Sequence, residues 1–238
     1  MALPKIDKPL FEDKLPYTNK EVYYRAFTVR EEKILIIGRE SDDIKQGMLA
    51  MQQVVNNCVT YKDGSEFDVR VLPVFEMEYL IMKIQSKSVD NVISLTITDE
   101  DTNKPIEVEL DLDKAKMVEN PEHTNKIKLN DDYTLVLKLP TVEMMDHYTD
   151  LEIPEVQRTF EIMVRCMDKI VTEDEIFSFE GESDDEIIQF LDDLDPKNLE
   201  DIKKFFETAP KLRHEITYTN ANGDEKTLVI EGTESFFE

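Results

Sequence analysis

Apolar residues along this chain recur at two spacings, one typical of helices and the other of strands. The helical period of about 3.6 residues is followed by Ile44, Met48, Met51, Val55 and Cys58, by Leu72, Phe75, Tyr79 and Met82, and by Val156, Phe160, Met163, Met167 and Ile170. Thr28 and Glu31 have the spacing of a capping box, which predicts the start of another helix. We therefore predict several amphipathic helices, the third stripe running as one helix through Ile170.

The period of two, typical of strands with one buried face, occurs in the middle of the chain. It is followed by Ile93, Leu95 and Ile97, by Ile106, Val108, Leu110 and Leu112, and by Tyr133, Leu135, Leu137 and Leu139. Turn-forming residues separate these runs, so they predict two β-hairpins, at 91–112 and 126–140. The sequences YTNK before EVYYRAF and NANGD within HEITYTNANGDEKTLVIEG predict two further hairpins, near the start and the end.

These elements predict an α+β fold: antiparallel β-hairpins with amphipathic helices, and a helical C-terminal part that ends in a β-hairpin. No βαβ period occurs. A chain of 238 residues, 40% of them hydrophobic, is long enough for a substantial core. We expect two domains. Residues 1–150 form an α+β domain with an N-terminal hairpin, two helices and two β-hairpins, and residues 151–238 form an acidic helical domain with the terminal hairpin.

The charge of the chain restricts its partners. With 28 Lys and Arg against 53 Asp and Glu, the formal net charge is −25. Such a chain is repelled by a phosphate backbone, so nucleic acid is not an expected partner. The charge suits either solubility alone or a basic protein partner. The chain has two cysteines, far apart, and no apolar run that would serve as a signal peptide or membrane span. We expect a soluble intracellular protein.

The negative charge is concentrated between Glu173 and Asp195, which include eleven acidic residues and no basic one. Ser183 and Glu186 have capping-box spacing, and Asp195-Pro196 has the pattern of an N-cap followed by the first helical residue. The segment therefore predicts the start of a helix–turn–helix with an exposed acidic face. Its expected buried residues are Ile187, Leu191, Leu199, Ile202 and Phe206.

Residue types that perform chemistry do not cluster in this sequence. A calcium loop starting at Asp193 would place Asn198 where glycine is needed and Lys204 where the bidentate glutamate is needed. In the last hairpin, Thr219, Asn222 and Gly223 stand where the CxxCG knuckle of a zinc ribbon would lie, so the cysteines are missing. Cys58 lies on an apolar face without a nearby histidine, which indicates a core thiol. We expect no zinc, no calcium and no cofactor. His123, His147 and His214 also lack partners at ligand spacing.

Four stretches resemble the baseplate hub and hub-assembly proteins of T-even-type tailed phages. They are MALPKIDKPLFEDKLPYTNKEVYYRAFTVREEKILIIG, LPVFEMEYLIMKIQSKSV, IFSFEGESDDEIIQFLDDLDP and APKLRHEITYTNANGD, in this order over most of the chain. The resemblance implies a late protein that takes part in building the central hub of a contractile-tail baseplate, as a subunit or assembly factor without an enzymatic role. Its expected location is the host cytoplasm during assembly, or the virion baseplate.

A protein of this kind recognises its partners through surfaces. We expect other hub proteins as partners, and a homo-oligomer stays open. The predicted partner interface comprises Asp184, Asp185, Glu186, Phe190, Asp192, Asp193, Phe236 and Phe237. Two other classes stay open as well. An acidic DNA mimic or inhibitor would need carboxylates spaced like phosphates. A hydrolase with dispersed carboxylates, such as a glycosidase, would need a cleft, and the absence of Trp from the sequence disfavours a sugar cleft.

Overall fold

The computed structural model describes residues 7–41, 43–88, 91–149 and 153–231 of the chain. Its helices are α1 Val29–Glu40, α2 Ile44–Cys58, α3 Val74–Ser86, α4 Val142–Thr149, α5 Glu155–Arg165, α6 Asp184–Asp192 and α7 Pro196–Glu207. Its strands are β1 Leu10–Lys14, β2 Glu21–Arg25, β3 Val59–Tyr61, β4 Val92–Thr98, β5 Pro105–Asp111, β6 Lys116–Val118, β7 Lys126–Lys128, β8 Thr134–Leu137, β9 Met167–Val171, β10 Ile176–Ser178, β11 Lys211–Thr219 and β12 Glu225–Glu231. All strand pairs among them are antiparallel, which confirms the α+β prediction.

The chain divides into two units. The first is formed by the described residues of Met1–Val118 and Lys211–Glu238, and the second by those of Glu119–Pro210. Val118 and Lys211, where the chain leaves and re-enters the first unit, are paired neighbours on β6 and β11. The second unit is therefore an insertion between two adjacent strands of the first. The domain boundary near residue 150 that we expect from the sequence refers to parts of the chain that fold independently. That boundary stays a prediction.

The first unit begins with the predicted N-terminal hairpin. Strands β1 and β2 pair from Leu10↔Arg25 to Lys14↔Glu21, and β3 joins them on the other side of β2. The turn of this hairpin is held by a buried carboxylate, Glu76 in the first turn of α3, which has no exposed surface. Its Oε1 accepts hydrogen bonds from the backbone N–H groups of Tyr17 and Thr18, both at 2.8 Å, and its Oε2 accepts one from the Thr18 hydroxyl at 3.0 Å.

The helices α1 and α2 pack against each other as a pair. α1 starts at the predicted capping box, in which the N-cap Thr28 and Glu31 satisfy each other's backbone N–H groups. A Cβ atom at Gly38 would lie 2.7 Å from the Cβ of Ala50, so the close approach of the two helices requires glycine. Cys58 ends α2 and is 4% exposed, which confirms the prediction of a core thiol.

One hydrophobic core of the first unit lies between α3 and two groups of strands. β4 and β5 form the predicted hairpin, with Ile93↔Leu110, Leu95↔Val108 and Ile97↔Ile106 as cross-strand pairs. β11 and β12 form the predicted terminal hairpin, and β6 extends it to three strands in the order β12-β11-β6. Their inward side chains bury a common core: Met82, Val108, Leu110, Leu112, Leu212, Ile216 and Ile230.

The second unit contains a four-stranded sheet in the order β10-β9-β8-β7. The predicted hairpin at 126–140 is confirmed as β7 and β8, but its predicted apolar face is partly wrong. Tyr133 is 44% exposed, whereas Val136, expected on the opposite face, is 7% exposed. The prediction of one helix through Ile170 is also wrong. α5 ends at Arg165, and Met167 and Ile170 lie on β9, where β8 supplies the hydrogen bonds that compete with helix formation.

The predicted helix–turn–helix is confirmed as α6 and α7. Ile187, Leu191 and Ile202 are buried, and Leu199 is partly buried. The expected burial of Phe206 is corrected: Phe205 is 2% exposed and takes that position, and the ring of Phe206 packs against its edge with centroids 5.0 Å apart. Among the described residues, no helix is long and apolar enough to cross a membrane.

The hydrogen bonds to Glu76 generate a prediction for stability. Replacing Glu76 by Ala leaves the N–H groups of Tyr17 and Thr18 without their acceptor, so we expect the free energy of unfolding to fall by about 2–4 kcal/mol. Thr18→Val removes one hydroxyl and keeps both backbone bonds, so its expected cost is about 1 kcal/mol. Urea unfolding of both variants measures the difference. Equal losses for the two variants would contradict the proposed role of the carboxylate.

Candidate functional site

The eleven acidic residues between Glu173 and Asp195 occupy three places in the second unit. Glu173, Asp174 and Glu175 form the turn between β9 and β10, and their side chains are exposed. Glu180 and Glu182 lie in the loop that leads to α6, where Gly181 adopts the left-handed φ of 94°. The remaining six belong to α6 and to its connection with α7. The acidic segment, residues 173–195, therefore contributes carboxylates at three places on the surface and does not gather them in a buried cluster.

The carboxylates at the start of α6 have partners. Glu186 accepts hydrogen bonds from the Ser183 hydroxyl at 2.7 Å and the Ser183 N–H at 3.1 Å, which completes the predicted capping box. The hydrogen bonds from Ser183 lower the pKa of Glu186. Asp184 binds Arg165 at 2.6 Å, a contact across 19 residues that the sequence did not predict. Both residues therefore stabilise the N-terminus of α6.

The carboxylates at the end of α6 have no such role. Asp192 is the last residue of α6 and Asp193 is its C-cap, where the partial negative charge of the helix end disfavours them. The last turn contains no basic residue. Within the described residues, Asp185, Asp192 and Asp193 are exposed and make no ion pair. Their charge is available to a partner.

Apolar side chains border the acidic surface. The ring of Phe190 is half-buried and contacts that of Phe179, with centroids 5.4 Å apart. Ile188, on the outer side of α6, is 38% exposed, and Ile176 and Phe177 on β10 are 67% and 49% exposed. Phe236 and Phe237, the other two predicted interface residues, lie outside the described part of the chain.

Sequence reasoning missed β10 and its exposed side chains. The signal was present in the apolar residues on both sides of the turn-forming stretch TEDE, which is typical of a short hairpin. It was hidden because Met167 and Ile170 also continue the helical spacing of the residues before them. A five-residue strand that follows a helix directly is ambiguous by periodicity alone.

The nucleophilic and metal-binding residue types are engaged in the structure. In the described residues, no group of three or more His, Cys, Asp or Glu side chains is placed to hold a metal ion. Burial raises the pKa of Cys58 to about 11 and that of Cys166 to about 12, so neither thiol is an activated nucleophile. His123 stacks on Phe205, with centroids 5.0 Å apart, and burial lowers its pKa. The ring nitrogens of His214 lie 2.9 Å and 3.0 Å from two backbone carbonyl oxygens.

An open cleft of about 730 Å³ lies at the N-terminus of α1 and includes Lys8, Arg25, Thr28, Glu31 and Ser88. Four of these side chains, those of Arg25, Thr28, Glu31 and Ser88, make hydrogen bonds. Arg25 donates hydrogen bonds to Glu31 at 3.2 Å and to two backbone carbonyl oxygens, and Ser88 accepts one from Phe27 N–H at 2.8 Å. The Glu31 carboxylate occupies the end of α1, where an anion would otherwise bind.

The structure thus defines an acidic α+β protein in which residues 173–195 carry eleven acidic residues and no basic one. A model of the T4 bacteriophage base plate protein family matches residues 8–238. The chain belongs to this family. Neither the curated proteins nor the solved structures with which the chain was compared gave a match. Membership confirms the predicted resemblance to baseplate proteins of T-even-type phages and implies interaction with other proteins of the tail baseplate.

The carboxylate of Glu31 generates a prediction for pH. Burial alone would raise the pKa of Glu31, but hydrogen bonds from Thr28 and Arg25 and the charge of Arg25 lower it from 4.5 to about 2. Because the folded-state pKa lies below the unfolded one, this stabilisation is complete above about pH 4.5 and is lost as the pH falls towards 2. It amounts to about 3 kcal/mol.

The test compares the free energy of unfolding of the natural chain with that of Glu31→Gln. We expect the difference between them to shrink as the pH is lowered from about 6 to about 2.5. Glu32→Gln changes an exposed carboxylate in the same helical turn and serves as the control. A difference for Glu31→Gln that is constant across this range would contradict the assigned role.

The two faces of α6 generate a second prediction. Replacing the buried Ile187 by Asp places an unpaired charge in the core, so we expect a loss of about 3–5 kcal/mol in the free energy of unfolding. Replacing Asp193 by Asn removes a negative charge from the C-terminal end of the helix and changes stability by less than about 0.5 kcal/mol. Thermal or urea unfolding measures both. The reverse order would show that the faces of α6 are assigned incorrectly.

Proposed function

We propose that the chain is a subunit or assembly factor of the central hub of a contractile-tail baseplate, and that it acts through protein–protein surfaces without an enzymatic step. The match of the baseplate family model to residues 8–238 carries this proposal. The buried thiols and the hydrogen-bonded residues of the cleft near α1 support the non-enzymatic part. During assembly such a protein works in the host cytoplasm, and a hub subunit then stays in the virion.

The partner surface that we propose is the acidic segment around α6. It comprises Asp184, Asp185, Glu186, Phe190, Asp192 and Asp193, together with Phe236 and Phe237. Asp184 and Glu186 also stabilise the start of α6, so their presence is explained locally. Asp192 and Asp193 are not explained in this way, because they oppose the helix dipole. Asp185 lies in the first turn, where the dipole favours it, and like Asp192 and Asp193 it makes no ion pair within the described residues.

A basic patch on a hub protein accounts for this arrangement. Opposite charges attract the two surfaces during diffusion, which raises the association rate and makes it depend on salt. The half-buried Phe190 and the exposed Ile188 supply apolar contacts, which govern the lifetime of the complex. The proposed surface thus uses charge for the encounter and apolar area for retention.

The experiment measures binding of the full chain to each purified hub protein of its phage. Size exclusion with light scattering identifies the complex, and stopped-flow fluorescence gives association rates at about 0.05 M and about 0.5 M salt. The test variant changes Asp185, Asp192 and Asp193 to Asn and keeps Asp184 and Glu186, so that α6 retains its N-terminal contacts. The control variant removes three exposed carboxylates elsewhere, with Glu66, Glu107 and Glu109 changed to Gln.

We expect the test variant to associate about tenfold more slowly at low salt and the control variant to match the natural chain. The difference should disappear at high salt, because screening removes the attraction that the changes also remove. If the test and control variants changed the association rate equally, the acidic segment would be a solvated surface without a role in binding. Absence of any complex with hub proteins would contradict the hub function itself.

A further inference from the structure

Strand β10 lies at one edge of the sheet in the second unit. In the order β10-β9-β8-β7 it pairs with β9 on one side, and no described strand pairs with it on the other. All three of its residues, Ile176, Phe177 and Ser178, are exposed. An exposed edge is a place where another strand can add, and proteins commonly cover or block such edges.

The pattern of hydrogen bonds between β9 and β10 shows which backbone groups of β10 point away from β9. Thr172 N–H donates to Glu175 C=O at 2.9 Å, and Phe179 N–H donates to Asp168 C=O at 3.0 Å. Hydrogen-bonded and non-hydrogen-bonded pairs alternate in an antiparallel ladder. The pair Phe177↔Ile170 lies between those two bonded pairs and directs its backbone groups inward. The N–H and C=O groups of Ile176 and Ser178 therefore point away from β9.

The side chains of the sheet leave an apolar row uncovered at the same edge. Phe177, Ile170, Leu135 and Ile127 are successive cross-strand neighbours on one face. Leu135 is fully buried and Ile127 is 5% exposed, whereas Phe177 at the end of the row is 49% exposed. One further strand would place a side chain beside Phe177 and bury its ring.

The charge around β10 selects the kind of strand that can bind there. Glu173, Asp174 and Glu175 precede the strand, and Glu180 and Glu182 follow it. All five side chains are exposed, and none makes an ion pair with a described residue. They repel an acidic strand, including β10 of a second copy of this chain, and attract one that carries Lys or Arg.

We propose that the outer edge of β10 binds an extended basic segment of a partner protein, which adds to the sheet as a fifth strand. Ile176 and Ser178 supply the backbone hydrogen bonds, the carboxylates on both sides of β10 bind the partner's basic side chains, and an apolar residue of the partner covers Phe177. This rests on the proposed function and specifies it, since it names the conformation and the chemistry of the partner segment.

The probe is a short synthetic peptide of alternating lysine and valine, added to the full chain. Amide hydrogen exchange followed by NMR reports each backbone N–H group separately. We expect the exchange of the Ile176 and Ser178 amides to slow by about tenfold or more at saturation. A glutamate–valine peptide of the same length controls for charge. A lysine–valine peptide with alternate amides methylated has the same charge and lacks the backbone donors.

Two substitutions at one position separate the backbone from the side chain. Ile176→Pro removes an outward N–H group and no bond to β9, so the sheet is expected to form, because proline is tolerated where the N–H group of an edge strand faces solvent. Ile176→Thr removes the same apolar side chain and keeps the N–H group. We expect the peptide to bind about tenfold more weakly to Ile176→Pro and within about threefold of the natural affinity to Ile176→Thr.

Binding of the lysine–valine peptide without slowed exchange at Ser178, or equal binding of the methylated peptide, would overturn the proposal, because charge alone would then explain the affinity. The methylated peptide decides the same question if Ile176→Pro does not fold. The proposal would also be overturned if the natural chain dimerised and Ile176→Pro did not, because a second copy of the chain would then occupy the edge. If hub proteins bind the natural chain and Ile176→Pro equally, the edge proposal fails while the proposed function stands.

Discussion

Excess negative charge is the constraint under which this protein folds. With 53 acidic and 28 basic residues, 25 carboxylates have no cation to pair with one to one. A carboxylate can be buried only where donors replace its water. Glu76 meets this condition through two backbone N–H groups and a hydroxyl, and Glu31 through Arg25 and Thr28. Asp99, which is 1% exposed, meets it through the N–H and hydroxyl groups of Thr102 and the hydroxyl of Tyr218. Carboxylates without such donors must remain in contact with solvent or with a partner.

This excess of charge separates the carboxylates of the acidic segment into those that stabilise the fold and those that do not. Where carboxylates stabilise the fold, they lie beside a helix N-terminus or a cation, as Glu186 and Asp184 do. Asp192 and Asp193 lie at the opposite end of α6, where they cost stability. The loops on both sides of β10 add five exposed carboxylates next to an open sheet edge. These are the two surfaces at which we propose that a positively charged partner binds.

The second unit is inserted in the chain between β6 and β11, two strands that pair with each other. Val118 and Lys211 are cross-strand partners, so the inserted residues begin and end at neighbouring positions. An insertion with adjacent ends disturbs its host little, because the surrounding strands keep their register. The terminal hairpin therefore completes a sheet that β6 belongs to, although more than 90 residues separate the two in sequence.

Local signals in the sequence specify part of this fold. The capping boxes at Thr28 and Ser183, the hairpins and the α6–α7 pair follow from residues within a few positions of each other, so they were predictable. The family was also recognisable from stretches of sequence. Tertiary structure alone decided that Met167 and Ile170 lie on a strand, that Arg165 binds Asp184, and that β10 is left at an edge. In each case the deciding partner is distant in sequence, and a periodic pattern carries no information about which segment will supply it.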